Sequence, residues 1–246
     1  MDSGTSPPGY FSKFPDTSES ARRILSLLFD IVGTPRSLVD LGGGVGAWAS
    51  TAKQLGVSRV FCVDHPDTSL AELLIDEDEF IPSDLAVSIP PPIRCDIALS
   101  LETAEHLPSC MSDKIVEFLT GSAPIVLFSA AIPGQPGFRH INEQPPRYWT
   151  ALFARAGYDC WDIVRPRIIH DAGMPYWYRQ NTYVFATQNM KPKLQSAHLP
   201  YMDLPEDFEL VHQSILSRYR QSLQIPGFRR WLRLLPAMIR QKISSE

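Results

Sequence analysis

Apolar and polar residues alternate along this chain with two periods, one typical of helices and the other of strands. In residues 18–32, apolar side chains recur every three or four positions, which predicts an amphipathic helix with Ser18 or Ser20 as its cap. Elsewhere, short apolar runs end at glycine, proline or acidic residues, as strands do. Further helical segments lie between these runs.

The predicted strands cover residues 37–40, 59–63, 79–81, 95–99, 124–128, 158–164 and 182–187. The predicted helices between them cover residues 47–55, 113–119 and 147–156. Strands that alternate with helices indicate an α/β fold, in which a mostly parallel sheet is covered by helices on both faces. In such sheets the ligand binds at the carboxyl ends of the strands, so the residues at those ends carry the functional prediction.

The composition is that of a globular protein, since 44% of the 246 residues are hydrophobic and 20% are charged. The longest uncharged apolar stretch, residues 124–133, is about half the length that a transmembrane helix needs. The N-terminal sequence lacks the basic and apolar pattern of a secretory signal. The four cysteines have no paired spacing, so we expect reduced thiols in a cytoplasmic protein.

The net charge of −4 disfavours nucleic acid as a partner, but the charge is unevenly distributed. Residues 210–245 contain seven basic side chains and no acidic one, so removing these seven positive charges leaves −11 on the rest. We expect a flexible N-terminus over residues 1–17 and a basic helical appendage over residues 191–246. The appendage is expected to pack on the acidic body or on a second copy in a homodimer. Contact with a membrane surface or a partner protein is the alternative.

A glycine-rich turn follows the first predicted strand, in the run DLGGGVGA that begins at Asp40. The spacing of Gly42, Gly44 and Ala47 also satisfies the G-x-G-x-x-G/A pattern of dinucleotide-binding turns. Taken alone this pattern is a weak signal, because a tight turn from strand to helix uses glycines for its own geometry. It indicates only that another group approaches the backbone closely.

Acidic residues stand at or just after four successive predicted strands, without a lysine or arginine at any of these positions: Asp40, Asp64, Asp84, Glu102 and Glu105. A pyrophosphate would be repelled there. A cofactor that carries a sulfonium and an ammonium group and no phosphate suits this field, which describes S-adenosylmethionine. Asp64 is in position to accept bonds from both ribose hydroxyls, and Asp84 from the adenine amino group. Each acidic residue taken singly is more often a turn or cap residue, so the argument rests on their number.

Four motifs in succession, VDLGGGVGAW, VFCVDHPD, FIPSDL and DIALSLETAEHLP, resemble those of the class I S-adenosylmethionine-dependent methyltransferases. The later stretch LFSAAIPGQPGFRHINEQPPRYWTALFARAGY resembles a bacterial subgroup associated with sugar or natural-product pathways. The resemblance covers about residues 36–190, and we expect the methyltransferase domain over residues 18–190. It implies a Rossmann-like, doubly wound sheet of seven strands with an antiparallel last strand, here residues 182–187.

The resemblance also implies which residues hold S-adenosylmethionine. They belong to the glycine-rich turn, the end of the second strand, the Asp-Leu pair after the third strand and the residues that follow the fourth: Asp40, Gly42, Gly43, Gly44, Asp64, His65, Asp84, Leu85, Ser100 and Leu101. The His65-Pro66 pair departs from the family pattern and is expected to reshape the loop beside the ribose.

The acceptor side is predicted in the loop over residues 129–144, whose length suggests a function. His140 is the candidate base for an acceptor hydroxyl, with Glu143 or Asn142 orienting it or the acceptor. Alternatively, these polar residues cap the helix that begins near Pro146. His106 is a further candidate to face the methyl group, although such a histidine is more often a structural hydrogen-bonding group.

No metal site is predicted, because the histidines at the strand ends lack the spacing of known ligand motifs. An aromatic run at residues 174–178 is expected in a loop, where it either closes over a flat acceptor or packs in the core.

The predicted function is transfer of a methyl group from S-adenosylmethionine to a small-molecule acceptor, a hydroxyl of a sugar or natural product. The alternatives are a cyclase or isomerase that uses the bound cofactor structurally, an NAD-dependent oxidoreductase, and a binding module without catalysis.

Overall fold

Seven strands form one sheet in the computed structural model, which describes residues 17–197. The strands are β1 (Ser37–Leu41), β2 (Arg59–Asp64), β3 (Phe80–Pro82), β4 (Ile97–Leu101), β5 (Ile125–Ser129), β6 (Tyr158–Trp161) and β7 (Tyr183–Thr187). The α-helices are α1 (Ser18–Val32), α2 (Ala47–Gln54), α3 (Ser112–Ser122), α4 (Pro146–Arg155), α5 (Arg165–Ile168), α6 (Tyr176–Asn181) and α7 (Lys191–Gln195).

The strand order across the sheet is β3-β2-β1-β4-β5-β7-β6. The first five strands of this order pair in parallel, whereas β7 runs antiparallel to both of its neighbours, β5 and β6. The predicted α/β sheet with an antiparallel last strand is therefore confirmed. The direction of winding reverses between β1 and β4, and in open α/β sheets a crevice for ligands forms at the carboxyl side of such a point.

Two hydrophobic clusters cover the two faces of the sheet. Helices α1 and α2 pack on one face and α3 and α4 on the other. Within β1, Leu38 belongs to the first cluster and Val39 to the second, as expected from the alternation of side chains along a strand. Every residue of β1, β4 and β5 is buried, which is typical of parallel strands covered on both sides.

Some local predictions are wrong. Helix α1 begins with Thr17 at its N-cap position and without a side-chain capping bond, and Ser20 is buried, so neither predicted cap is used. The strand predicted over residues 158–164 ends at Trp161. Asp162, the next residue, leaves the strand and forms a buried ion pair with Arg165 at the start of α5.

The aromatic run at residues 174–178 is not an exposed loop, because its second half forms helix α6. The ring of Tyr178 is buried and packs edge-on against Trp48 of α2, with ring centroids 5.4 Å apart. Met174 is buried in the same cluster. Core packing therefore accounts for Met174 and Tyr178, two of the five residues of this run.

The predictions for the N-terminus and for most of the appendage lie outside the described residues. Of residues 191–246, the structure describes α7 and the two residues after it, and Leu194 of α7 is buried in the cluster with α1. All four cysteines are free thiols. Within the described part of the chain, each helix is too short or too polar to cross a membrane.

Candidate active site

The glycine-rich turn joins β1 to α2 directly above the reversal point of the sheet. Gly42 has a φ of +82° and donates its backbone N–H to the carbonyl of Val63 over 2.8 Å. A Cβ at Gly42 would lie 2.1 Å from the side chain of Thr103, and a Cβ at Gly43 would lie 2.5 Å from Oδ2 of Asp40. The sequence predicts that another group approaches the glycine backbone closely. At Gly42 and Gly43 that group is a side chain of the protein itself.

Asp40 lies beneath this turn, in β1, opposite Cys62 on one neighbouring strand and Leu99 on the other. Its carboxyl is buried and Oδ2 has no hydrogen-bond partner. Burial, and to a smaller extent the charge of Asp64, raises the pKa of Asp40 to about 7. A buried carboxyl without a partner is costly to the fold, and such groups concentrate at functional sites.

Asp64 ends β2, and two short hydrogen bonds hold its carboxylate at the edge of the sheet. Oδ2 accepts from the backbone N–H of Gly44 over 2.6 Å, and Oδ1 accepts from that of His65 over 2.6 Å. Burial raises the pKa of Asp64, while these two bonds act in the opposite direction. Each oxygen retains a lone pair, so the carboxylate can still accept from a ligand hydroxyl.

His65 connects Asp64 to the segment after β3. Its Nδ1 accepts from the backbone N–H of Asp67 over 3.1 Å, and its Nε2 lies 3.7 Å from Oδ2 of Asp84. The neighbouring Leu85 is buried in the second hydrophobic cluster. The structure thus brings the predicted residues from the first three strands to one side of the turn.

Ser100 and Leu101 were expected to follow the fourth strand, but they are its last two residues. Both are buried, and Oγ of Ser100 has no hydrogen-bond partner. The strand extends further because Leu101 pairs with Ser129 at the end of β5. The first residue beyond β4 is therefore Glu102.

Glu102 is the centre of a polar network that the sequence did not predict. Its backbone has a φ of +52°, uncommon for a residue with a side chain. Its Oε1 accepts from Nδ2 of Asn181 over 3.0 Å and its Oε2 from Nε2 of Gln135 over 2.8 Å. Nδ2 of Asn181 also donates to Oε1 of Gln135 over 2.8 Å. Residues from three segments thus meet at this edge of the sheet.

His140 and Glu143 lie together, as predicted. Nδ1 of His140 is 3.1 Å from both the carbonyl of Gln135 and Oε1 of Glu143, while Oε2 of Glu143 accepts from the backbone N–H of Gly134. Both neighbours of Nδ1 are acceptors, which favours the tautomer that has its hydrogen on Nδ1. The capping alternative is wrong, because α4 begins after Pro145 without a side-chain capping bond.

Asn142 does not orient His140. Its side chain is buried and donates to the carbonyl of Ala104 over 3.3 Å and to Oγ of Ser112 over 3.2 Å. The backbone N–H groups of Ile141 and Asn142 both donate to the carbonyl of Glu105. These bonds fasten the loop after β5 to the turn after β4.

Glu105, His106 and His140 come together as a result. Each offers a ligand atom within 4.8 Å of the other two, and within residues 17–197 no second such group of three is found. The rings of His106 and His140 have centroids 5.0 Å apart. Burial and the neighbouring His140 lower the pKa of His106 to about 4. Glu105 is buried with neither carboxylate oxygen bonded, and burial together with the charge of Glu102 raises its pKa.

The edge of the sheet is strongly acidic. In the described part of the chain, none of the five carboxylates at the strand ends forms an ion pair with a lysine or arginine: Asp40, Asp64, Asp84, Glu102 and Glu105. The carboxyl groups predicted from the sequence therefore lie at the carboxyl ends of β1 to β4, where burial raises the pKa of four of them, Asp40, Asp64, Glu102 and Glu105.

Neither a protein-family model nor a curated protein matches the sequence of this chain. Solved structures do match. DesVI from Streptomyces venezuelae superposes with a TM-score of 0.54 at 11% identity, over 72% of this chain and 94% of that one. Magnesium protoporphyrin IX methyltransferase from Synechocystis PCC 6803, solved with bound SAH, gives a TM-score of 0.51 at 15% identity, over 70% and 84%.

Human N-acetylserotonin methyltransferase in complex with SAM gives a TM-score of 0.48 at 16% identity. The match covers 70% of this chain and 52% of that one, so the chain spans about half the length of this human protein. The first two likenesses show the fold: the chain has the Rossmann-like fold of the class I methyltransferases.

Proposed function

We propose that this protein transfers a methyl group from S-adenosylmethionine to a hydroxyl of a small-molecule acceptor. The observation that carries the proposal is the set of carboxyl groups at the reversal point between β1 and β4, where no lysine or arginine within residues 17–197 forms an ion pair with them. A cofactor with a pyrophosphate would be repelled there, whereas a cofactor with a sulfonium and an ammonium group would be attracted. The shared fold of a methyltransferase solved with SAH supports the same choice.

The residues around the turn fit S-adenosylmethionine. Asp40 offers a buried carboxyl whose Oδ2 lacks a partner, and a nearby cationic ligand would favour its ionised form. Asp64 is held by Gly44 and His65 with lone pairs left to accept from the ribose hydroxyls. Asp84 is half-buried beside His65 and would accept from the adenine amino group. When bound, the cofactor supplies an electrophilic methyl group.

The acceptor side of the site would lie across the turn, toward the end of β5 and the start of the antiparallel β7. His140, oriented by Glu143, is the side chain that we assign to the activation of an acceptor hydroxyl. Glu102, Gln135 and Asn181 provide a fixed polar surface beside it. Polar groups that already hold each other in place can bind a hydroxyl-bearing molecule with little loss of side-chain entropy.

A small cleft next to Asn181 is lined by aromatic side chains, among them Phe128, Trp149 and Tyr183, with the amide of Gln144 at its border. Its volume of about 10 Å³ has room for little more than one water molecule, and these rings are buried, so the cleft itself does not hold the acceptor. The choice of a sugar or natural product as acceptor rests on the resemblance of residues 127–158 and on the polar groups of Glu102, Gln135 and Asn181.

The proposal is tested by incubating the full-length protein with methyl-labelled S-adenosylmethionine and a panel of hydroxylated sugars and aromatic compounds. We expect label in an acceptor together with an equal amount of released S-adenosylhomocysteine, and at least a tenfold decrease of both in Asp64→Asn at subsaturating cofactor. Tight cofactor binding without methyl release in any acceptor would instead indicate that the cofactor is used structurally. Hydride transfer with NADH in the same panel would contradict the proposal.

A further inference from the structure

The carboxylate of Glu105 takes part in none of the hydrogen bonds or ion pairs of the site. The residue is fully buried in the turn after β4, and neither Oε1 nor Oε2 has a partner at full hydrogen-bond geometry, although the backbone of Ala131 and the carboxyl of Glu102 lie close enough to affect its pKa. Glu102, a second acidic side chain, lies close enough to act on it electrostatically. Buried carboxylates are retained when they are paired, protonated or bound to a metal. No arginine or lysine in the described residues forms an ion pair with Glu105.

Two histidines complete a set of ligands around this carboxylate. Glu105, His106 and His140 offer ligand atoms within 4.8 Å of one another. A neutral imidazole is the form of histidine that binds metals. Nδ1 of His140 is bonded to Glu143 and to the carbonyl of Gln135. Metal-ligating histidines typically give their second nitrogen to a carboxylate or a carbonyl in this way.

We propose that Glu105, His106 and His140 bind a divalent first-row transition-metal ion. Two imidazoles and one carboxylate suit Zn²⁺, Mn²⁺ or Fe²⁺, and three protein ligands leave positions open for another molecule. Ligand atoms lie roughly 2.0–2.2 Å from such an ion, so the three side chains draw closer together on binding. The positive charge also relieves the repulsion between Glu105 and Glu102.

The role of the ion rests on the function proposed above. An acceptor hydroxyl in the open position has a lowered pKa and releases its proton to the solvent. His140 then acts as a ligand, and the ion takes the place of a base. The specificity of the enzyme follows, because an acceptor with its hydroxyl next to a second oxygen can occupy two open positions.

The test is a calorimetric titration of the chelator-treated, full-length protein with MnCl₂ and, separately, with ZnCl₂. We expect one site in the wild type, no such site in Glu105→Gln, and binding weakened roughly 10- to 100-fold in Glu143→Gln, which removes the charge behind His140. The exposed His170 lies outside the cluster, so His170→Ala is the matched control and should bind like the wild type. Equal binding by wild type and Glu105→Gln, or no binding to either, overturns the proposal.

Thermal unfolding separates a loss of ligand from a loss of fold. Without metal, Glu105→Gln should melt at a higher temperature than the wild type, because it removes a buried acidic group. Added Mn²⁺ should raise the melting temperature of the wild type only. A metal-free variant that melts lower would indicate that Glu105 is a protonated structural residue, and would contradict the site.

Measuring methyl transfer with and without a chelator separates the proposed role of the ion from the proposed function. Methyl transfer that stops with the chelator and returns with Mn²⁺ supports both. Transfer that continues in the chelator refutes the role of the ion and leaves the function intact. A metal-binding protein that transfers no methyl group to any acceptor refutes the function and leaves the site intact.

Discussion

The Nδ1 atom of His140 lies 3.1 Å from Oε1 of Glu143, three residues later in the same loop. The other oxygen of this carboxylate is fixed by the backbone N–H of Gly134. The loop after β5 thus supplies both an imidazole and the group that orients it, and the side chain of His140 is only 9% exposed. An imidazole held this firmly can activate a neighbouring hydroxyl. We therefore expect a direct effect of His140 on turnover.

Replacement of His140 by alanine should lower turnover about 10²- to 10⁴-fold, the range expected when a base or an equivalent activating group is lost. The affinity for S-adenosylhomocysteine should not change, because Asp40 and Asp64 on the other side of the turn are untouched. Steady-state kinetics and calorimetry on the same preparation check both statements. Normal turnover with a lower melting temperature would make His140 a structural residue.

Replacement of Asp64 by asparagine should weaken the binding of S-adenosylmethionine at least tenfold. Each charge-assisted hydrogen bond to a ribose hydroxyl contributes roughly 1.5–3 kcal/mol, and the amide retains only one acceptor oxygen. Asparagine preserves the shape of the side chain and its bond to one backbone N–H, so the fold should persist. The exposed Asp30 of α1 gives the control Asp30→Asn, for which calorimetry should find no change.

Replacement of Asp40 by asparagine should stabilise the ligand-free protein above neutral pH. The pKa of Asp40 is raised from an ordinary value of 3.8 to about 7, so the folded state binds this proton more tightly than the unfolded state. The stability it contributes is complete below pH 4 and is lost as the pH rises to 7, about 4 kcal/mol in all. Denaturant unfolding should therefore find the variant more stable at pH 8 and equal to the wild type near pH 4.

The same variant should bind S-adenosylmethionine less tightly at pH 8. A cationic ligand favours the ionised carboxylate, so wild-type affinity should rise between pH 6 and pH 8 with release of a proton. Calorimetry in two buffers of different ionisation enthalpy measures that proton. An affinity that is independent of pH, and the same in Asp40→Asn, would remove Asp40 from the site.

Replacement of Gly42 by alanine should cost more stability than the same change at Gly157. Both glycines have a φ of +82°, but a Cβ at Gly157 meets nothing within 4 Å, whereas at Gly42 it would lie 2.1 Å from Thr103. The strain of the left-handed backbone, about 1–2 kcal/mol, is common to both variants. The clash adds roughly 1–3 kcal/mol to Gly42→Ala alone. Equal unfolding free energies for the two variants would show that the turn has room to move.

Periodicity and residue order were enough to predict the sheet and its acidic edge. Buried strands read as apolar runs, and parallel strands connected through helices must end at the same edge. The positions of Asp40 and Asp64 therefore follow from the sequence alone. The antiparallel β7 came from the resemblance to a family, since an apolar run carries no sign of its direction.

The acceptor side could be predicted only in part. His140 and Glu143 are three residues apart, so a single loop brings them together. Glu105 lies 35 positions before His140 in the chain, and the two meet only because Ile141 and Asn142 bond to the carbonyl of Glu105. Such loop-to-loop bonds have no periodic signal. For the same reason the sequence missed Gln135 and Asn181, which are polar residues beside apolar runs.

The central claim is that the edge of the sheet holds S-adenosylmethionine, and calorimetric titration of the full-length protein tests it most directly. We predict one site for S-adenosylmethionine and for S-adenosylhomocysteine, weakened at least tenfold in Asp64→Asn, and no binding of NADH. Binding of NADH in preference to S-adenosylhomocysteine, or equal affinity of wild type and Asp64→Asn for S-adenosylmethionine, would contradict the account.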